Sequence, residues 1–264
     1  MKIQLKTPIT YYGGKQKLCS KILSVIPPHN LYCESFVGGG AVFFGKEPSQ
    51  VEVLNDTNKE LINFYQVTQN RFVDLERMVR VTLHSRRLHA DASVVYNNPH
   101  LFDEVKRAWA WWVLATQSFS SIIDGTWGYD KKKNTTSTKI NNKRAEFTEA
   151  YSQRLQNVQL ECADALYIIQ SRDGKDSFFY SDPPYFNSNC GHYDGYSRED
   201  FDALLRLKSR LQGKFLLSSY DSDLLQQYVK DYGWHQVKIE QGVSVNKGYG
   251  GKKKIEVLTA NYPI

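Results

Sequence analysis

Methionine and cysteine are scarce in this 264-residue chain, which holds two methionines and four cysteines. Cys19, Cys33, Cys162 and Cys190 are widely scattered without a C-x-x-C pair, and Cys190 has His192 two residues on. That spacing argues against a structural zinc and fits reduced thiols in a cytoplasmic protein. The opening residues, MKIQLKTPIT, lack the apolar stretch of a signal peptide, and no hydrophobic run reaches the roughly 20 residues of a bilayer span. No membrane partner is expected. Internal repeats are absent as well. What is present is 41% hydrophobic and 23% charged residue, enough apolar content for a packed core and too little charge for wholesale disorder.

The net charge of +6 is unevenly placed. The segment Tyr129–Arg144 carries Lys131, Lys132, Lys133, Lys139, Lys143 and Arg144 against Asp130 alone. A second segment, Asn246–Lys254, carries Lys247, Lys252, Lys253 and Lys254 with no acid. Such segments are either solvated loops or a surface that contacts phosphates.

Short apolar runs predict strands near Leu31–Phe36, Val51–Asn55, Val158–Cys162, Ser177–Ser181, Lys214–Ser219, Gln236–Glu240 and Ile255–Asn261. Most are apolar on both faces, as in an α/β sheet covered by helices. The loop joining the last two is too short for a crossover helix, so they should pair antiparallel. Ser197 and Asp200 form a capping box, followed by a stripe of Phe201, Leu204, Leu205, Leu207 and Leu211. Between Lys59 and Gln117 the periodicity is helical, with Val105, Trp109, Trp112 and Val113 on one face, a core stripe rather than a ligand box. A turn-rich stretch from Asp124 to Asp130 follows. The expected organisation is a discontinuous α/β domain, 1–66 and 155–264, interrupted by a helical insert, 67–154.

The strongest motif is Ser181-Asp182-Pro183-Pro184-Tyr185, directly after an aromatic strand. Asp-Pro-Pro-Tyr arises by chance in about one chain in a thousand of this length. Two successive prolines remove backbone N–H groups, leaving a carboxylate and carbonyls as acceptors. An exocyclic amino group with two N–H donors suits that loop, and Tyr185 adds a face for stacking. The second motif, Glu34-Ser35-Phe36-Val37-Gly38-Gly39-Gly40-Ala41, reads as a strand, a glycine turn and a helix start. Asp56 lies at the end of the next strand, where an acid accepts bonds from ribose hydroxyls. Alone, this pattern suits any nucleoside-containing cofactor, and the third dinucleotide glycine is missing. Gly40 to Lys46 also fits phosphate-loop spacing, but Glu47 replaces the Ser or Thr and the interior is bulky and apolar, which excludes an ATPase loop. Near the N-terminus, Tyr11-Tyr12-Gly13-Gly14-Lys15 combines an aromatic, a glycine turn and a lysine.

The order of these elements, aromatic-x-Gly-x-Lys, Phe-x-Gly-Gly-Gly, Asp56-Thr-Asn58, an insert, and Asp-Pro-Pro-Tyr, resembles the Dam-like D12-class (α-group) DNA adenine-N6 methyltransferases. The resemblance implies an α/β fold, a Rossmann-like seven-stranded methyltransferase sheet with a helical target-recognition insert. It implies S-adenosyl-L-methionine as cofactor, with no metal, bound by Tyr11, Lys15, Phe36, Gly38, Gly40, Asp56, Asp164 and Asp182. Asp182, Pro183, Pro184 and Tyr185 would form the catalytic site for a flipped-out adenine in double-stranded DNA. Lys131, Lys132, Lys133, Lys139, Lys143, Arg144, Lys247, Lys252 and Lys253 are the expected DNA contacts. The alternatives are an N4-cytosine methyltransferase and a non-catalytic DNA-binding module on the same fold. A cognate restriction endonuclease is left open as a partner. Two departures bear on specificity. Thr10 stands where some Dam enzymes have a DNA-contacting lysine, and Phe119–Tyr129 does not match the hairpin through which GATC-specific members read their site.

Overall fold

A computed structural model describes residues 5–186, 196–241 and 254–264, with the backbone alone at 240, 241, 254 and 255. Its strands are β1 (Leu31–Glu34), β2 (Val51–Asn55), β3 (Gln159–Glu161), β4 (Ser177–Ser181), β5 (Lys214–Tyr220), β6 (His235–Gln241) and β7 (Lys254–Ala260). Each coincides, within two residues at either end, with an apolar run in the sequence. They form one seven-stranded sheet in the order β3-β2-β1-β4-β5-β7-β6. β1 pairs in parallel with both β2 and β4, and β4 with β5. β7 is antiparallel to both neighbours, as the short connection to β6 requires.

Eleven α-helices are present among the described residues. They are α1 (Cys19–Leu23), α2 (Ala41–Gly45), α3 (Lys59–Asn70), α4 (Phe72–Val81), α5 (Arg86–Asn97), α6 (Glu104–Gln117), α7 (Thr135–Glu146), α8 (Ala150–Leu155), α9 (Ala165–Ser171), α10 (Arg198–Lys208) and α11 (Asp223–Tyr232). None is long and apolar enough to cross a membrane.

The chain folds as two compact units, each assembled from several segments. The first comprises Met1–Ser24, Gly38–Pro48 and Asp56–Cys162; the second comprises Val25–Val37, Ser49–Asn55 and Ala163–Ile264. In the first, the tryptophan stripe is core: Val105, Trp109, Trp112 and Val113 on α6 are all buried. The basic segment is not a plain loop. It continues into α7, of which only Ile140 is buried, so no apolar period announces this helix.

In the second unit, strand alternation gives the sheet two unlike faces. Cys33, Val53, Phe179, Phe215, Leu217 and Val257 pack in one apolar cluster with Ile168 and Ile169 of α9, Phe201, Leu204 and Leu205 of α10, and Leu224 and Leu225 of α11. The expected capping box at Ser197 and Asp200 is formed in full. The other face, in matching register, carries Glu52, Tyr32, Glu34, Tyr180, Ser218 and Glu256, all buried. A buried polar row needs internal hydrogen bonds, and these organise the site.

Candidate active site

The sequence leaves β1 through the glycine turn. Gly38 sits at φ +45° and Gly40 at φ +65°, both left-handed, before α2 begins. A Cβ on Gly38 would lie 2.9 Å from the Tyr11 ring, so this ring rests directly on the backbone of the turn. Tyr65 donates its hydroxyl to the Gly38 carbonyl at 2.7 Å. Half-buried Asp56 accepts from the Gly38 N–H at 3.1 Å through Oδ2 and from the Asn58 N–H at 3.0 Å through Oδ1. Burial raises its carboxyl above the ordinary value, against the pull of the backbone N–H groups of Asn58, Gly38 and Thr57. Lys15 is buried and donates from Nζ to the Gly13 carbonyl at 3.1 Å. The first unit thus brings Tyr11, Lys15, Gly38, Gly40 and Asp56 into one compact turn system. An aromatic ring, a glycine cradle, a carboxylate and an amine suit a nucleoside that carries an amino-acid tail. The phosphate-loop spacing is a coincidence, because α2 is buried along its whole length.

In the second unit, sheet order reverses between β1 and β4, and ligands of open α/β sheets bind outside the carboxyl ends of strands at such a point. Asp182 is the first residue past β4. Its Oδ1 accepts from the Tyr185 hydroxyl at 3.0 Å, and Oε1 of Glu256 lies 3.1 Å from the same hydroxyl. Ser218 also donates to Glu256 Oε1, at 2.8 Å. The Tyr220 ring meets the Tyr185 ring edge-on, with centroids 4.4 Å apart. Burial, with the charges of Asp182 and Glu256 added, pushes the Tyr185 phenol well above its ordinary value, so it stays protonated. Pro183 is buried and Pro184 half-buried.

Behind this loop lies a polar relay that the sequence did not suggest. Lys208 donates from Nζ to Ser181 Oγ at 2.9 Å, and Ser181 Oγ meets Ser35 Oγ at 2.8 Å. Burial lowers the Lys208 amine to about 7. Its signal was its position, one turn after Leu204 on the apolar stripe of α10, where a charge is out of place. Asn55 was missed too. Buried at the end of β2, it donates to the carbonyls of Ser35 and Ala163 and accepts from the Ala163 N–H, tying three strand-end turns together.

The remaining candidates are more scattered. Phe36 is half-buried and edge-on to Tyr196. Asp164 is exposed and caps α9 by accepting from the Tyr167 N–H at 3.0 Å. Lys131, Lys132 and Lys133 are exposed just ahead of α7, and Lys139 is exposed on it. Lys143 and Arg144 are turned inward. Lys143 donates to the Thr7 carbonyl, and burial lowers its amine to about 8, while Arg144 donates to the Thr82 carbonyl at 3.0 Å. Lys247, Lys252 and Lys253 lie outside the described residues, as do Cys190 and His192.

Comparison with known proteins bears on this arrangement. Residues 11–241 match the family model of the D12 class N6 adenine-specific DNA methyltransferases. The chain belongs to that family. A type II methyltransferase of Lactococcus lactis subsp. cremoris is 28% identical over 99% of this chain and 97% of its own length. A DNA adenine methylase of Salmonella typhi is 26% identical over 96% of this chain and 94% of its own. A DNA N-6-adenine-methyltransferase of Escherichia phage P1 is 27% identical over 72% of this chain but 25% of its own length. Adenine-N6 methylation of DNA is thus the activity of the class to which the chain belongs. The matched span contains every motif from Tyr11 to Tyr185 and ends before Glu256.

Proposed function

We propose that Asp182, Pro183, Pro184 and Tyr185 receive an adenine flipped out of duplex DNA. The observation that carries this reading is the Asp182 carboxylate, held at the reversal of strand order in a loop stripped of backbone donors. Flipping costs a few kcal/mol, and stacking on Tyr185 returns about 1–3 kcal/mol of it. Asp182 and the Pro183 carbonyl each accept one N6 hydrogen, which draws the nitrogen toward tetrahedral geometry and orients its lone pair. Positioning of this kind is the main catalytic contribution. The nitrogen becomes acidic only as it gains the methyl group, so Asp182 need not be a strong base.

S-adenosyl-L-methionine supplies an electrophilic methyl group when bound. The glycine cradle against Tyr11 supports its placement with Tyr11, Lys15, Gly38, Gly40 and Asp56, with Phe36 and Asp164 as further contacts. Residues 67–154 are the proposed recognition insert, and Lys131, Lys132, Lys133 and Lys139 its phosphate contacts. Lys143 and Arg144, engaged with backbone carbonyls, are the weaker members of that set.

The test is mass spectrometry of nucleosides from duplex DNA incubated with the protein and S-adenosyl-L-methionine. N6-methyldeoxyadenosine is the expected product, and N4-methyldeoxycytidine alone would refute the reading. Asp182→Ala should lower the single-turnover rate by about a hundred-fold or more while the protein still binds DNA, since lost transition-state contacts of this type are worth several kcal/mol.

A further inference from the structure

Lys208 is 1% exposed, yet it stands on the apolar face of α10 with Phe201, Leu204 and Leu205. Its amine lies 4.8 Å from the centroid of the Phe215 ring on β5 and donates to Ser181 Oγ at 2.9 Å. Methionine or leucine would fill that place without taking a charge out of water. A core residue that lowers stability, where an apolar one would fit, points to a gain in function. Ser181 shows where that gain lies. It is fully buried, it is the last residue of β4, and Asp182 follows it directly. We propose that Lys208 is a positioning residue, which pins the end of β4 through Ser181 and so sets Asp182 for the amino group of the adenine.

The inference rests on the adenine site proposed above and deepens it. Strand ends fray, and the pairing of β4 with β5 stops at Ser181, opposite Leu217. Beyond it, Pro183 and Pro184 have no N–H with which to fasten the loop. The feature that opens the loop to an amino group therefore also loosens it, and a side-chain anchor one residue upstream offsets this. The anchor needs a fixed point, which Ser35 provides at the neighbouring end of β1. Ser35 Oγ lies 2.8 Å from Ser181 Oγ. Its backbone is held on both sides, the N–H donating to the Tyr180 carbonyl at 3.2 Å and the carbonyl accepting from Asn55 Nδ2 at 3.0 Å. Loss of the amine should thus release the end of β4 and leave the exit of β1, with Phe36, in place.

Stability and activity should move apart in two variants. Lys208→Met keeps an unbranched side chain and removes the amine, so near neutral pH it should raise the urea midpoint. Its single-turnover methylation rate should nonetheless fall about ten-fold, since small misplacements of reacting groups cost that much or more. KM for duplex DNA and the S-adenosyl-L-methionine affinity read by calorimetry should stay within two-fold of the parent. Ser181→Ala leaves the buried amine without its acceptor and should lower the midpoint, yet slow methylation to a similar degree. The double variant should be no more than two-fold slower than either single one, because both substitutions break the same link.

With a merely structural lysine, activity would follow stability: Lys208→Met at the parent rate, Ser181→Ala alone impaired. That pattern, a loss under five-fold in Lys208→Met, a loss that saturating DNA and cofactor restore, or additive losses in the double variant would overturn the inference. So would a Lys208→Met chain that does not fold, since the amine would then serve the fold itself. If Ser181→Ala does not fold, Lys208→Met decides alone on the same five-fold threshold. A parent that makes no N6-methyldeoxyadenosine refutes the adenine site itself, and the inference with it. An active parent with an equally active Lys208→Met variant removes only the role of Lys208.

Discussion

An alanine at position 38 meets two separate obstacles. Its φ of +45° is left-handed, which costs a residue with a Cβ about 1–2 kcal/mol, and its Cβ would press on the Tyr11 ring at 2.9 Å. Gly233, at the end of α11, has φ +65° but nothing within 4 Å of a Cβ. Gly233→Ala should therefore lose only the backbone cost, read as a lower urea midpoint, with S-adenosyl-L-methionine affinity unchanged by calorimetry. Gly38→Ala should lose at least as much stability and weaken the cofactor about ten-fold, because Tyr11 must shift. Equal cofactor affinity in the two variants would separate Tyr11 from the cofactor. At this scale, motif residues were legible because rare residue types mark them: consecutive prolines, consecutive glycines, an acid at a strand end. Their hydrogen-bond partners were not. Asn55, Ser218 and Lys208 are common residue types whose roles arise from strand register and helix packing between distant segments.

Helix α7 shows where the element scale fails to announce itself. Its sequence, Thr135 to Glu146, has one buried residue, so it lacks the apolar period by which α10 was evident in advance. The strands were legible for the opposite reason. β1, β2, β4 and β5 are largely apolar runs, whereas β3 and β6 carry only alternate apolar residues, and the pairing of β7 with β6 followed from loop length alone. The basic residues ahead of α7 support a prediction at this scale. Lys131, Lys132 and Lys133 are exposed, and each phosphate neutralised should steepen the fall of log affinity with log salt by about 0.9. Replacing all three with Gln should weaken binding to every duplex and flatten that slope, as read by fluorescence anisotropy across a salt series. Lys143→Gln should leave the slope almost as it was, since its amine serves the Thr7 carbonyl. A triple variant with the parent's slope would move the DNA face elsewhere, to Arg77, Arg80, Arg86 and Arg87 first.

For the molecule as a whole, the buried amine of Lys208 predicts a pH-dependent stability. Its folded value is about 7 against an ordinary 10.5. Between those values the unfolded chain binds more protons than the folded one, so stability rises with pH through that window. Below pH 7 both states are protonated and the burial penalty is present in full. Lys208→Met should be more stable than the parent by a few kcal/mol at pH 6, and the gap should close as pH approaches 10. Urea unfolding at several pH values measures it; a gap independent of pH would mean that the amine is not desolvated. Strand order has a different consequence, felt before the protein is complete. β1 has β2 on one side, but its other neighbour is β4, and the contact of Ser35 with Ser181 spans 146 residues. At about 5–20 residues per second, the ribosome leaves one edge of β1 open for roughly 7 to 30 seconds. Throughout that interval the nascent chain exposes an unpaired strand, the kind of edge on which chains aggregate. Yield in cells should depend on chaperone supply during synthesis more than on the stability of the finished enzyme.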